Sequence, residues 1–232
     1  MRFFYTISIF FLMMVSATFI VADAPVETKT LMADKGKVLL TDSFSKELSA
    51  DWKPVKGTWA IVDGALKGVE KTEDMHAAVV RRELKTHDIV AQYSFRFDGG
   101  KMTAFSLNDS KGHVCRVTIN AAGFSVNRDK PNAKSTEKGA VLDKVAMPFK
   151  PGQWYTIVIE LCGKNFVASV DDSHIAIGSH DEIDIDKTTL AFPVAGDGVS
   201  IKDLTIWEAT VKKDWDMTKT KLKDAKAKTV AK

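Results

Sequence analysis

Apolar and polar residues alternate with a period of two along most of this chain, and no other feature limits its fold so strongly. In IVAQYSFRF (89–97) every second residue is apolar, and YTIVIELC (155–162) repeats the pattern. Such alternation is typical of antiparallel strands that bury one face, whereas no helical period stands out within residues 37–208. Turn signals such as Asp63-Gly64 separate about a dozen short strands. The pattern predicts an all-β fold in which two antiparallel sheets pack as a jelly-roll sandwich.

The stretch GTWAIVDGALKG (57–68) is the clearest single hairpin in the sequence. Asp63 and Gly64 readily adopt the positive φ angles that a tight hairpin turn requires. Trp59 lies on the incoming strand, and Leu66 on the returning strand is placed to pack against it. We considered Trp59 as a core residue or as an exposed platform for a sugar ring, and the alternation favours the core.

The N-terminal stretch MRFFYTISIFFLMMVSATFIVADA combines one early arginine, a long apolar run and small residues. This is the arrangement of a secretory signal peptide, which we assign to residues 1–22, followed by a linker at 23–36. An uncleaved anchor is the alternative, because the apolar run Phe3–Val21 is nearly long enough to span a bilayer. The sequence therefore predicts a secreted or periplasmic protein that contacts the membrane only transiently, through its signal peptide.

Positive charge is concentrated at the C-terminal end of the chain. Residues 212–232 contain eight lysines and three aspartates, whereas the whole chain has a net charge of only +3. Without this tail (+5) and Arg2 (+1), the net charge is −3, so we expect no nucleic-acid partner. Residues 210–232 are too poor in apolar groups to fold alone, which predicts a solvated Lys-rich tail or a frayed helix. Contact of this tail with an anionic cell surface is the alternative, and the folded domain then covers residues 37–209.

Three stretches of the chain together resemble a known family. They are LTDSFSKELSADWKPVKGTWAIVDGALKG, HDIVAQYSFRFDGG and PGQWYTIVIELCGKNFVASVDD. Their order and turn residues resemble the concanavalin A-like (laminin G-like) jelly roll of the 3-keto-disaccharide hydrolase family, over about Val38–Glu208. The chain departs from that family in DGGKMTAFSLND and HVCRVTIN, where members carry a Gly-rich turn and a Tyr-Glu-Val-Gln pattern. The resemblance implies the fold and suggests cleavage of a 3-keto-glucoside, but it identifies no catalytic residue.

Hydrogen-bonding side chains occupy the outward positions of several predicted strands. A sugar site requires such donors and acceptors, and in a jelly roll they would line the concave sheet. The alternative is a cross-strand ion pair between Glu160 and an arginine on a solvated sheet. The candidate substrate-binding residues are Gln92, Arg96, Asn108 and Arg116 at outward strand positions, and Asp109 at the loop between two strands.

Two further residues are candidates for catalysis. A ketone acidifies the neighbouring C–H bond, so one base and one cation for the developing enolate are sufficient for a 3-keto sugar. His113 or Glu160 is the candidate base, and Arg96 or Arg116 is the candidate enolate stabiliser. We therefore expect an exported domain that binds or processes a glycan or small sugar. The alternatives are a non-catalytic sugar-binding module and a cell-surface interaction domain.

The acidic run SHDEIDIDK (179–187) offers carboxylates of the kind that bind Ca²⁺. Its spacing does not match an EF-hand loop, and the pattern favours a solvated acidic loop. We therefore assign no metal ligand, although a divalent metal cofactor stays open.

The two cysteines, Cys115 and Cys162, leave a disulfide open, because export permits one. Alternation places Cys115 on a core-facing position and Cys162 on an outward position. The two thiols would then lie on opposite faces of a sheet, which disfavours the bond.

Overall fold

The computed structural model describes residues 28–132 and 134–230. The predicted signal peptide, residues 1–22, lies outside the described residues. Within the described part the chain forms fifteen strands, two short 3-10 turns (Thr72–Asp74 and Asp181–Ile183) and one helix, α1 (Trp215–Val230). Every strand pairing is antiparallel, so the all-β two-sheet sandwich is confirmed.

One sheet, called sheet A, contains eight strands. Its order is β13-β12-β11-β6-β15-β4-β3, and β1 pairs with β15 beside this path. The strands are β1 (Ala33–Asp42), β3 (Thr58–Val62), β4 (Ala65–Val69), β6 (Ile89–Phe97), β11 (Tyr155–Cys162), β12 (Asn165–Ser169), β13 (Ile175–Ser179) and β15 (Val199–Val211).

The second sheet, called sheet B, contains seven strands in the order β10-β9-β8-β7-β14-β5-β2. The strands are β2 (Lys53–Lys56), β5 (Ala78–Thr86), β7 (Gly100–Asn108), β8 (His113–Asn120), β9 (Gly123–Arg128), β10 (Ala140–Ala146) and β14 (Lys187–Gly196).

The main hydrophobic core lies between the two sheets and follows the period of two. The alternate residues of β6 from Ile89 to Phe97 are at most 3% exposed. Tyr93 of sheet A stacks on Phe105 of sheet B at a centroid distance of 6.0 Å and meets Phe192 edge-on at 5.3 Å. Burial of each such side chain contributes roughly 1.5–3 kcal/mol, so these aromatic contacts hold the sheets together.

The hairpin predicted from Asp63-Gly64 forms as expected. Asp63 and Gly64 have φ angles of 51° and 70°, which is the backbone of a primed turn. Trp59 is partly buried and packs against the core, with its ring over Gly68. A Cβ atom at Gly68 would lie 2.5 Å from that ring, so any larger residue there would have to displace the ring.

The ends of the sandwich extend beyond the predicted range of 37–209. The predicted pairing of first and last strands is present, but β1 already begins at Ala33 and β15 continues to Val211. Met32 and Ala33, assigned by sequence to a linker, are fully buried on the outer face of sheet A. They pack there because β11–β13 present apolar side chains on both faces, and a one-sided strand pattern does not reveal this second cluster.

Helix α1 also covers part of this outer face, in place of a solvated tail. Trp215 is 3% exposed, and Leu222 packs against the same cluster. Lys219 Nζ donates to Asn165 Oδ1 at 2.5 Å, and Lys226 pairs with Asp143. The helix is therefore stabilised by tertiary contacts. Among the described residues, no helix combines the length and the apolar character needed to cross a membrane.

Candidate functional site

The residues predicted to form one site are divided between the two outer faces of the sandwich. Gln92, Arg96 and Glu160 project from β6 and β11 of sheet A. Asn108 and Arg116 project from β7 and β8 of sheet B, whose connection contains the remaining two candidates, Asp109 and His113. The hydrophobic core separates these groups, so they do not form one site. Alternation distinguishes inward from outward positions, but it does not reveal which sheet a strand joins.

Glu160 is fully buried, which corrects its assignment as an exposed catalytic base. Its Oε1 accepts a hydrogen bond from the Leu31 N–H at 2.8 Å, and Oε2 accepts from Met32 and Ala33 at 2.8 and 2.7 Å. Burial raises the pKa of Glu160, and the three backbone N–H groups oppose this shift. The carboxylate therefore anchors the N-terminal segment on sheet A and is not accessible to a substrate.

Arg96 is also held within sheet A and does not pair with Glu160. Its Nε donates to Asp98 Oδ1 at 2.6 Å, and its guanidinium lies 4.8 Å from the ring centroid of Trp154. Burial acts to raise the pKa of Asp98, but hydrogen bonds from Arg96 and Ser200 hold it below its usual value. Arg96 thus forms a local ion pair far from the other candidate cation, Arg116.

Gln92 lines a separate cavity on the outer face of sheet A. This cavity has a volume of about 520 Å³ and is bordered by Trp207 and Thr205. Lys35 Nζ lies 4.3 Å from the Trp207 ring centroid, so an ammonium group already covers this indole.

A longer groove crosses the outer face of sheet B. Two cavities of about 760 and 300 Å³ adjoin there, since Arg81 and Thr189 line both. The larger cavity extends to the edge strand β2, and the smaller one ends at the β7–β8 connection. Most lining side chains are polar; besides the two shared residues they include Asp51, Lys53, Glu83, Asn108, Asp109, Lys111 and His113.

His113 is held at the narrow end of the groove by Asn108. Its Nδ1 lies 2.7 Å from Asn108 Oδ1, an acceptor, so Nδ1 carries the proton and Nε2 retains its lone pair. Burial lowers the pKa of His113, and the positive charges of Arg116 and Arg81 lower it further. The imidazole is therefore neutral near pH 7, as a general base must be.

Asp109 lines this end of the groove, whereas Arg116, on β8, is not among its lining residues. Asp109 Oδ1 accepts from the Lys111 and Gly112 N–H groups, both at 2.8 Å, and so fixes the turn between β7 and β8. Arg116 Nε donates to Asp129 Oδ2 at 2.6 Å. Burial raises the pKa of Asp129, and the arginine opposes this shift. Arg116 influences His113 through its charge, as one member of an ion pair.

The groove also contains residues that sequence reasoning missed. Arg81 and Glu83 are exposed on β5, and Thr189 lies beside them on β14. The signal was present in AVVRRELKT (78–86), where Arg81 and Glu83 alternate with the inward-facing Val80 and Leu84.

The acidic run 179–187 forms ion pairs with neighbouring loops. His87 places Nε2 2.9 Å from Asp184 Oδ1 and Nδ1 2.9 Å from Asp186 Oδ1. These hydrogen bonds, that of Asp186 first, raise the pKa of His87. Glu182 pairs with Arg128. Across residues 28–132 and 134–230, no three His, Cys, Asp or Glu side chains are grouped as metal ligands.

Both cysteines are buried and unbonded. Cys115 belongs to the core between the sheets, whereas Cys162 belongs to the cluster outside sheet A. This agrees with the opposite faces expected from alternation.

Neither a protein-family model nor the sequence of a curated protein matches this chain. Its structure is similar to carbohydrate binding module CBM66 from Bacillus subtilis, with 15% identity, a TM-score of 0.57, and coverage of 68% of this chain and 96% of the module. The CBM2 module of the evolved Dit of Lactobacillus casei BL23 phage J-1 has 11% identity and a TM-score of 0.57, covering 77% of this chain and 98% of that module. A Bacillus licheniformis beta-glucanase has 7% identity and a TM-score of 0.55, covering 75% and 99%. At such identities the likeness concerns the fold alone: the chain is a jelly-roll sandwich of the kind shared by these sugar-binding modules and a glycosidase.

Proposed function

We propose that this domain binds a glycan in the groove on the outer face of sheet B. The observation that carries the proposal is the groove itself, two adjoining cavities of about 760 and 300 Å³ lined mostly by residues with polar or charged side chains. Sugar hydroxyls require donors and acceptors at close spacing, and Arg81, Thr189 and Asn108 supply both kinds. The presence of carbohydrate-binding modules among proteins of this fold supports the same function. The predicted signal peptide would bring the domain to exported glycans.

Two half-buried threonines, one lining each outer-face cavity, permit a matched test of the site. Thr189 faces the groove of sheet B, and Thr205 faces the cavity on sheet A. Thr189→Trp would fill the groove, whereas Thr205→Trp would fill the other cavity, and tryptophan suits both strands.

A glycan array probed with the protein and these two variants tests the proposal. We expect a signal that is lost in Thr189→Trp and kept in Thr205→Trp. The reverse result would place the site on sheet A, and an array without any signal would refute glycan binding.

A second candidate function is cleavage of a 3-keto-glycoside, the activity suggested by the resembling family. The observation that favours it is the neutral His113, held by Asn108 so that Nε2 retains its lone pair at the groove. Nε2 would take the proton from C2, next to the C3 ketone, and the resulting enolate would expel the aglycone by breaking the C1–O bond. The aglycone leaves with a proton, and water then adds to the unsaturated sugar. Arg81 is the groove cation available to the enolate oxygen.

Release of p-nitrophenol from p-nitrophenyl 3-keto-glucoside tests this second function. His113→Ala should abolish release, and Asn108→Ala should reduce it by removing the group that orients the imidazole. Glu160→Gln should leave release unchanged, because that carboxylate is buried under the N-terminal segment. An unmodified protein that releases no p-nitrophenol, while binding glycans on the array, would leave binding as the function.

A further inference from the structure

We infer that the groove on sheet B selects an anionic sugar, one that carries a carboxylate or a sulfate group. This inference rests on the proposed function, since it names the substrate class of the same groove. The argument begins with Arg81, the one charged residue that lines both cavities. A ligand that spans the groove would pass over its exposed guanidinium.

The charged side chains along the groove leave one positive charge unbalanced, which we assign to the guanidinium of Arg81. The lining contains four cationic side chains, Lys53, Arg81, Arg82 and Lys111, and three carboxylates, Asp51, Glu83 and Asp109. His113 is neutral near pH 7, for the reasons given above. The groove therefore has a net charge of +1, whereas the chain without its Lys-rich tail and Arg2 has a net charge of −3.

The neighbouring arginines Arg82 and Arg116 are already neutralised. Arg82 Nη2 donates to Asp51 Oδ2 at 3.0 Å, and Arg116 Nε donates to Asp129 Oδ2 at 2.6 Å. Among the described residues, no carboxylate lies within ion-pair distance of Arg81. Its positive charge acts on His113 across the smaller cavity, so its field reaches the other end of the groove.

An exposed guanidinium of this kind matches planar anionic groups. Its N–H fork donates two parallel hydrogen bonds to a carboxylate or sulfate, and these are stronger than bonds to neutral hydroxyls. Asn108 and Thr189 would then bind the hydroxyls of the same or the next sugar ring. The groove thus combines one anion contact with several neutral contacts, as a uronic acid or a sulfated sugar requires.

Two matched pairs of polysaccharides test the inference. Polygalacturonate is compared with its methyl ester, and dextran sulfate is compared with dextran. Binding is measured by calorimetric titration of the protein in about 50 and about 500 mM NaCl. We expect binding to the charged member of at least one pair, weakened by salt. Binding of polygalacturonate but not dextran sulfate would identify a carboxylate as the recognised group. Binding of dextran sulfate but not polygalacturonate would identify a sulfate.

Variants assign this binding to Arg81. Arg81→Ala should weaken it by about tenfold or more, as expected when a charge-assisted double hydrogen bond is lost, and Arg81→Lys should give an intermediate affinity. Lys150→Ala removes an exposed cation outside the groove and should bind like the unmodified protein. Because helix α1 can attract polyanions, Lys221→Gln/Lys228→Gln is a second control and should also leave the affinity unchanged.

Several results would overturn the inference. Equal binding of charged and uncharged polysaccharides would do so, as would an Arg81→Ala variant that binds as tightly as Lys150→Ala. Loss of binding in the helix variant alone would assign the polyanion contact to α1. If none of the four polysaccharides binds, the inference fails, and the array with Thr189→Trp then decides separately whether the groove binds any glycan.

Discussion

Replacing Glu160 with glutamine tests the role of this carboxylate as the anchor of the N-terminal segment. Its two oxygens accept from three backbone N–H groups at 2.7–2.8 Å, and the residue is fully buried. The amide of glutamine has one oxygen, which at best accepts from Met32 and Ala33. Its NH₂ group then faces the Leu31 N–H, so two donors meet without an acceptor. A buried donor without an acceptor costs about 1–3 kcal/mol, and the two remaining bonds lose their charge assistance. Relief of carboxylate desolvation offsets part of this loss, so we expect a net destabilisation of about 2 kcal/mol.

Urea unfolding and thermal melting measure this effect. For a domain of this size, 2 kcal/mol corresponds to a fall in Tm of about 4–8 °C. Glu208→Gln is the control, because Glu208 is exposed on β15, and it should change stability by less than about 0.5 kcal/mol. If Glu160→Gln were as stable as Glu208→Gln, the carboxylate would not hold the segment. If it were stable but lost glycan binding, a functional role of Glu160 would regain support.

Three further tests probe other parts of the account. The pKa of His87 is raised in the folded state, so its ion pairs stabilise the protein fully below the unfolded-state pKa of about 6.5, and this contribution is lost as pH rises through the folded-state pKa. The Tm difference between the protein and His87→Gln should therefore be larger at low pH than at high pH, and a constant difference would contradict the pairing. Gly68→Ala should lower the free energy of unfolding in urea by about 1–3 kcal/mol, because its Cβ meets the Trp59 ring. Trp59→Leu should relieve much of that cost in the double variant, and a cost that is not relieved would show that the ring does not pack there. Trp215→Ala should raise amide hydrogen exchange throughout helix α1, and unchanged protection would show that the helix does not depend on this contact.

The core and the turns of this fold could be predicted from the sequence. The alternation of β6 predicted that Ile89, Tyr93 and Phe95 are buried, and they are, because a two-layer sandwich offers each strand one inner face. Asp63-Gly64 predicted its turn for an equally local reason, the positive φ of both residues. These features depend on residues close together in the chain.

The candidate site depends on contacts between distant segments, which alternation does not reveal. Glu160 does occupy an outward position, but residues from the N-terminal segment cover it, and |i − j| for these hydrogen bonds is 127–129. Met32 and Trp215 were apolar residues within polar stretches, and they were the available sign that a second layer covers sheet A. The division of Arg96 and Arg116 between two sheets follows from strand order, which no local pattern encodes.

The location of the sugar tests the central claim most directly. The measurement is a ¹H–¹⁵N correlation spectrum of the labelled protein, titrated with the oligosaccharide that gives the strongest array signal. The account predicts saturable shifts at the backbone amides of Arg81, Thr189 and His113, with those of Gln92, Thr205 and Trp207 unchanged. Shifts confined to Gln92, Thr205 and Trp207 would place the binding site on the opposite face and contradict the account.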